Sequence, residues 1–128
     1  MKTMIVYCNG AIIADRVGVA DTFASRFWGL MGKKSLDAGE GLFLRNCSSI
    51  HCFFMKMAID AVYLSKDYTV LGIETLKPWS VGGHFKKTAH VFELPANSSK
   101  VCVGDILVCK TSKVNIEKRG AQNDRKKW

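Results

Sequence analysis

Residues 47–60 read CSSIHCFFMKMAID, placing two cysteines, a histidine, two methionines and a carboxylate within one short stretch. Two chemistries follow from these types. A thiolate, an imidazole and a thioether can hold a soft metal, and a thiol beside an imidazole can act as a nucleophile. Which of them is open depends on backbone geometry. On a helix, Cys47, His51 and Met55 fall at i, i+4 and i+8 and share one face. On a strand, Cys47, Ser49, His51, Phe53 and Met55 share one face, and Cys52 takes the other. A strand rises about 3.4 Å per residue, so Cys47 and His51 stand roughly 13 Å apart, too far to share a metal through bonds of about 2.0–2.3 Å. His51 and Cys52 then point to opposite sides and cannot pair. Ile50 and the adjacent Phe53 and Phe54 favour the strand. The cysteines read as small buried hydrophobes. His51 is left needing a partner from elsewhere, with His84, His90, Trp79 and Asp60 as the available groups.

The elements around this stretch read as short strands joined by turns. Met4–Cys8 and Ala11–Ala14 flank Asn9-Gly10, the pair that supplies two positive-φ positions to a type I′ hairpin. One helix is expected around residues 22–31, where Phe23, Phe27, Leu30 and Met31 form a single apolar face. Leu42–Leu44, Ala61–Leu64, Thr69–Leu76, His90–Leu94, Val101–Val103 and Ile106–Lys110 read as strands. The segment KPWSVGGHFKK is a long irregular connection. Many short strands and one helix predict a mainly β fold, a small barrel or sandwich.

The chain has 128 residues, the size of one domain, with 48% hydrophobic and 23% charged residues. No run reaches the roughly 18 apolar residues of a membrane span. MIVYC is too short for a signal-peptide core, and the five cysteines show no C-x-x-C spacing. These features lead to the expectation of a cytoplasmic protein with reduced thiols, without a zinc knuckle or cofactor. The net charge is +8, and residues 111–128 contribute half of it through six Lys/Arg against two Asp/Glu. Residues 1–110 are expected to form one compact domain, followed by a basic tail. A tail of this kind is ordinarily a solvated terminus; attraction to nucleic acid or an anionic surface is the lesser alternative.

Several ordered motifs resemble the domain of unknown function 192 family. They are Arg26 with Gly29-Leu30-Met31, Gly41-Leu42-Phe43, the run from His51 through Met55 to Asp60, Leu76-Lys77-Pro78-Trp79, Glu93-Leu94-Pro95 and Gly104-Asp105. The resemblance covers roughly residues 3–108 and implies a compact, mostly β domain, a flattened barrel or sandwich with a short helix carrying R-x-x-G-L-M. It implies a fold more than an activity. Family members often carry aromatic-x-Met-Lys-Asn-Thr where this chain has FFMKMA, so two polar side chains are replaced by Met57 and Ala58. Relatives often have Thr at Cys52, which weighs against an obligatory nucleophile there. Asn97 replaces a turn glycine, and Asn tolerates the left-handed conformation.

These features lead to a non-enzymatic binding or accessory module for a small polar, sugar-like ligand or a peptide segment. The candidate ligand-binding residues are His51, Met55, Asp60, Arg26 and Trp79. Arg26 suits either a structural ion pair with Asp60 or Glu93, or an anion. Asp60, between two strands, suits turn capping more than catalysis. Trp79 suits a stacking surface or the core. The rivals are a thiol- and His-dependent enzyme or metal protein centred on His51, and a weak nucleic-acid or anionic-surface binder acting through the tail.

Overall fold

The computed structural model describes residues 2–20, 35–48 and 57–111. The helix expected around residues 22–31, the strand expected through residues 49–56 and the tail beyond Thr111 lie outside these residues. The fold is mainly β, as expected. Its strands are β1 (Lys2–Cys8), β2 (Ala11–Ala20), β3 (Glu40–Leu44), β4 (Ile59–Leu64), β5 (Val70–Leu76), β6 (His90–Pro95) and β7 (Leu107–Thr111). They form one sheet in the order β5-β4-β6-β3-β2-β1-β7.

The turns follow local sterics. Asn9 and Gly10 adopt φ of 53° and 81°, so the β1–β2 hairpin has its two left-handed positions at the expected residues. Asn97 takes φ 60° in the turn after β6. The β4–β5 turn puts Tyr68 at φ 70°, where an aromatic residue is strained. Asp67 compensates by accepting from both the Ser65 and Thr69 hydroxyls. The region expected as a strand at Val101–Val103 is instead irregular chain and turn. Its Cys102 amide donates to the Asp105 carboxylate at 2.9 Å, drawing the segment into a turn rather than a ladder. Cys47, Ser48, Met57 and Ala58, at the ends of the motif-rich stretch, are also outside any strand.

All strand pairs are antiparallel except β2–β3, which run parallel from Arg16↔Glu40 to Ala20↔Leu44. The sheet curls into a half-barrel, and its two edge strands meet at one point. There Thr69 and Ile106 form a bridge, Val70 donates to the Asp105 carbonyl at 2.8 Å, and Leu107 donates to the Tyr68 carbonyl at 3.0 Å.

The curl gives the sheet two unlike faces. The inner face gathers side chains from all seven strands, with Val6, Val17, Phe43, Val62, Phe92 and Leu107 among them. On the outer face a second cluster involves only β2 to β6 and includes Leu44, Ile59, Tyr63 and Val91. Central strands β4 and β6 are therefore buried on both sides. Phe85, from the long β5–β6 connection, stacks on Tyr63 with ring centroids 4.4 Å apart. Gly72, opposite Tyr63, leaves room for that ring, since a Cβ there would meet Phe85 at 2.2 Å.

Candidate functional site

Asp60 lies on β4 directly opposite Thr75 of β5 and is buried. Its Oδ1 accepts from the Thr75 hydroxyl at 2.7 Å and the Asn97 amide at 2.9 Å. Its Oδ2 accepts from the amides of Ser98 and Ser99 at 3.1 and 3.0 Å. A carboxylate offers about four lone-pair directions, and four donors occupy them. Burial by itself would raise the Asp60 pKa. The Thr75 hydroxyl and the turn amides outweigh it and hold the group below the ordinary aspartate value. Asp60 therefore clamps the 95–99 turn onto the sheet as a charged carboxylate.

Trp79 is 62% exposed. It sits after Pro78 with φ 66°, in a turn where the Ser80 hydroxyl donates to the Lys77 carbonyl at 2.5 Å. The turn fixes the indole outward rather than in the core. Leu76, just before it, pairs with Ile59, so Trp79 leaves the same end of the sheet as Asp60. Arg26, His51 and Met55 lie outside the described residues.

A different polar cluster stands at the opposite end of β4. His90 opens β6 and pairs with Leu64. Its ring packs against Phe43 and Tyr68, with centroids 5.6 and 5.1 Å away. The chain leaving β3 turns at Asn46, φ 56°, which aims the Asn46 amide at the imidazole. That amide donates to Nδ1 of His90 at 3.0 Å. An acceptor Nδ1 carries no proton, so the neutral ring carries its proton on Nε2 and is a donor there. Burial lowers the His90 pKa, and the positive charge of Arg45 lowers it further. The Arg45 guanidinium also acts on Cys109 of β7, opposing the effect of burial, which still pushes that thiol up to about 11. Two strands and two turns thus bring an arginine, a neutral donor histidine, a tyrosine and a thiol of raised pKa to one end of the half-barrel. β4 is roughly 17 Å long, so Trp79 and His90 do not line one small-molecule site.

Among the described residues Glu93 is the third buried polar residue, after Asp60 and His90. It sits between Ala61 and Leu42 in the ladder, on the outer face with Val91. Among the described residues no group donates a hydrogen bond to its carboxyl, and burial pushes its pKa up to about 8. In the sequence Glu93 stood out as an acid between Phe92 and Leu94, in the motif Glu93-Leu94-Pro95 and as a candidate ion-pair partner. The Arg45–His90 cluster left less trace, because its members are 45 residues apart and Asn46 acts through its backbone.

Burial raises the Cys8 thiol, and hydrogen bonding to Asp105 raises it further. Among the described residues no group of three or more His, Cys, Asp or Glu could hold a metal. Among them also, no helix is long and apolar enough to cross a membrane.

The family model described as domain of unknown function 192, an uncharacterized ACR, matches residues 5–108. A UPF0127 protein of Pyrococcus abyssi is 33% identical over 99 residues, covering 70% of this chain and 82% of the relative. A UPF0127 protein of Pyrococcus horikoshii is 37% identical, covering 62% and 71%. Two crystal structures share the fold. One is a protein of unknown function from Novosphingobium aromaticivorans, with a TM-score of 0.69 at 21% identity and 83% of each chain covered. The other, described as a putative transcription regulator from Sinorhizobium meliloti, also scores 0.69, at 22% identity, with 84% and 92% covered.

Proposed function

The chain belongs to the domain of unknown function 192 family, and on that footing we propose that it is a non-enzymatic binding module for a small polar ligand or a peptide segment. The observation that carries this reading is the Asn46–His90 hydrogen bond beside Arg45. It makes His90 a fixed Nε2–H donor next to a permanent cation. Such a pair suits a ligand that brings acceptors, such as a carboxylate, a phosphate or a peptide carbonyl. The raised thiols of Cys8 and Cys109 speak against either as a nucleophile at neutral pH. Asp60 is assigned to the architecture, since its acceptor sites are filled.

An NMR titration with small carboxylates, phosphates and short peptides tests the reading. Shifts should concentrate at Asn46, His90 and Tyr68 and disappear in Arg45→Ala. Shifts that persist in that variant, or scatter over the surface, would end it.

A second site for the same class of ligand is favoured by Trp79. An indole held outward on a left-handed turn is a ready stacking surface for a sugar ring or an apolar peptide side chain. Trp79→Ala should remove such binding without changing the melting temperature; unchanged binding would exclude it.

A further inference from the structure

The two edges of the half-barrel are held together by the turn that follows Val101. Gly104 donates to the Val70 carbonyl at 2.9 Å and Val70 to the Asp105 carbonyl at 2.8 Å, beside the Thr69–Ile106 bridge. Cys8 and Cys102 stand at this closure. Cys8 ends β1 opposite Leu107 of β7 and is buried in the inner cluster that also holds Val101. Cys102, the residue after Val101, is exposed.

One carboxylate oxygen joins the two cysteines. Oδ2 of Asp105 accepts from the Cys8 thiol at 3.5 Å and from the Cys102 amide at 2.9 Å. The Cys8 sulfur and the Cys102 nitrogen are therefore no farther apart than those two bonds laid end to end. That is the scale of a disulfide, whose Cα atoms stand about 4.4–6.8 Å apart. Cys102 lies outside any strand, in a turn where the Asp105 amide donates to its carbonyl at 3.0 Å. Its side chain can turn toward Cys8 without breaking a ladder. Burial and the Asp105 carboxylate raise the Cys8 thiol, and the charge of Cys102 adds to them, as its nearness requires. Cys109 is the rival partner for Cys8. It also packs on the inner cluster, but Val6 pairs with Cys109 while Cys8 pairs with Leu107, so the two cysteines are diagonal across the ladder. Diagonal positions stand about 7–8 Å apart, beyond the reach of a disulfide.

We propose that Cys102 and Cys8 form a thiol–disulfide exchange site for low-molecular-weight disulfides of the glutathione type. The exposed Cys102 thiolate attacks one sulfur of the small disulfide, its S–S bond breaks, and the first small thiol leaves. Cys8 then attacks the Cys102 sulfur, and the second small thiol leaves. Two protein thiols are oxidised to one internal disulfide, and one small disulfide is reduced to two thiols. The two protons lost by the cysteines end on the two released thiols. The raised pKa of Cys8 keeps it from leading the reaction. Its own step is intramolecular, and proximity offsets the small thiolate fraction. The bond formed ties β1 to the turn that holds the sheet edges together. The site is separate from the Arg45–His90 cluster and does not depend on what binds there.

The test is to incubate the full chain with oxidised glutathione and to map its peptides by mass spectrometry. The parent should lose two hydrogens and yield a cross-linked peptide joining Cys8 to Cys102. Its melting temperature should rise by about 10 °C, and dithiothreitol should reverse the rise. Cys8→Ser should stop at a glutathione mixed disulfide on Cys102. Cys102→Ser, at an exposed position, should leave Cys8 unmodified, which keeps the test open if the buried Cys8→Ser variant fails to fold. A cross-link from either residue to Cys47, Cys52 or Cys109 would overturn the proposal. So would a mixed disulfide that persists on Cys102 of the parent, or no reaction of the folded chain. A cross-linked chain that melts no higher than the reduced one would overturn the tie across the closure.

Discussion

The Thr75 hydroxyl donates to Oδ1 of Asp60 across the β4–β5 ladder at 2.7 Å, and the same oxygen accepts from the Asn97 amide at 2.9 Å. One carboxylate thereby joins two neighbouring strands to a turn 37 residues away. Removing it takes the shared acceptor from the Thr75 hydroxyl and from three turn amides.

Asp60→Ala should therefore cost about 3 kcal/mol, measured by urea unfolding. The pH dependence follows from its lowered pKa. Its contribution is complete above the unfolded value near 4 and is lost as pH falls through the lower folded value. Asp60→Asn should flatten that acid limb. An acid limb as steep as the parent's would show that other carboxylates produce it.

Glu93 has the opposite sign. Burial raises its folded pKa to about 8, so the folded state favours the protonated acid. Its contribution is complete below the unfolded value near 4.5 and is lost as pH rises toward 8. Glu93→Gln keeps the shape and removes the ionisation. It should stabilise the protein at pH 8 by on the order of a few kcal/mol and change little at pH 4. Equal melting-temperature shifts at both pH values would refute this account.

The tautomer of His90 can be read directly. Its long-range nitrogen–proton correlations should show a neutral ring with the proton on Nε2, because Nδ1 accepts from Asn46. With its pKa lowered by burial and by Arg45, that pattern should persist below the ordinary histidine midpoint near 6.5. The stability it contributes is present above that midpoint and is lost as pH falls through the lower folded value. Arg45→Ala should move the titration upward. A ring protonated on Nδ1 would remove the donor on which the proposed site depends.

Gly72→Ala should destabilise by about 2 kcal/mol, because its Cβ would meet the Phe85 ring at 2.2 Å. The clash is with a stacked ring, so the cost should fall sharply in a Phe85→Ala background. An additive double-mutant cycle would show that the chain relaxes elsewhere.

The sequence by itself determined the features that local sterics and alternation control. Asn9-Gly10 and Asn97 took the left-handed positions expected of them, because few other residues enter that region at low cost. The mainly β class followed from short alternating runs and from motifs shared across residues 5–108. The tertiary structure alone decided what depends on distant pairing. The parallel β2–β3 contact and the Thr69–Ile106 bridge arise because curling buries one apolar face drawn from every strand. The same curl buries β4 and β6 on both sides, and it brings the Asn97–Ser99 amides to Asp60. His90 is the sharpest case. Residue types suggested His51 as the imidazole that mattered, and His51 lies outside the described residues. The one whose protonation is set by a visible partner is His90, and that partner is a backbone amide, which carries no signature in the side-chain pattern.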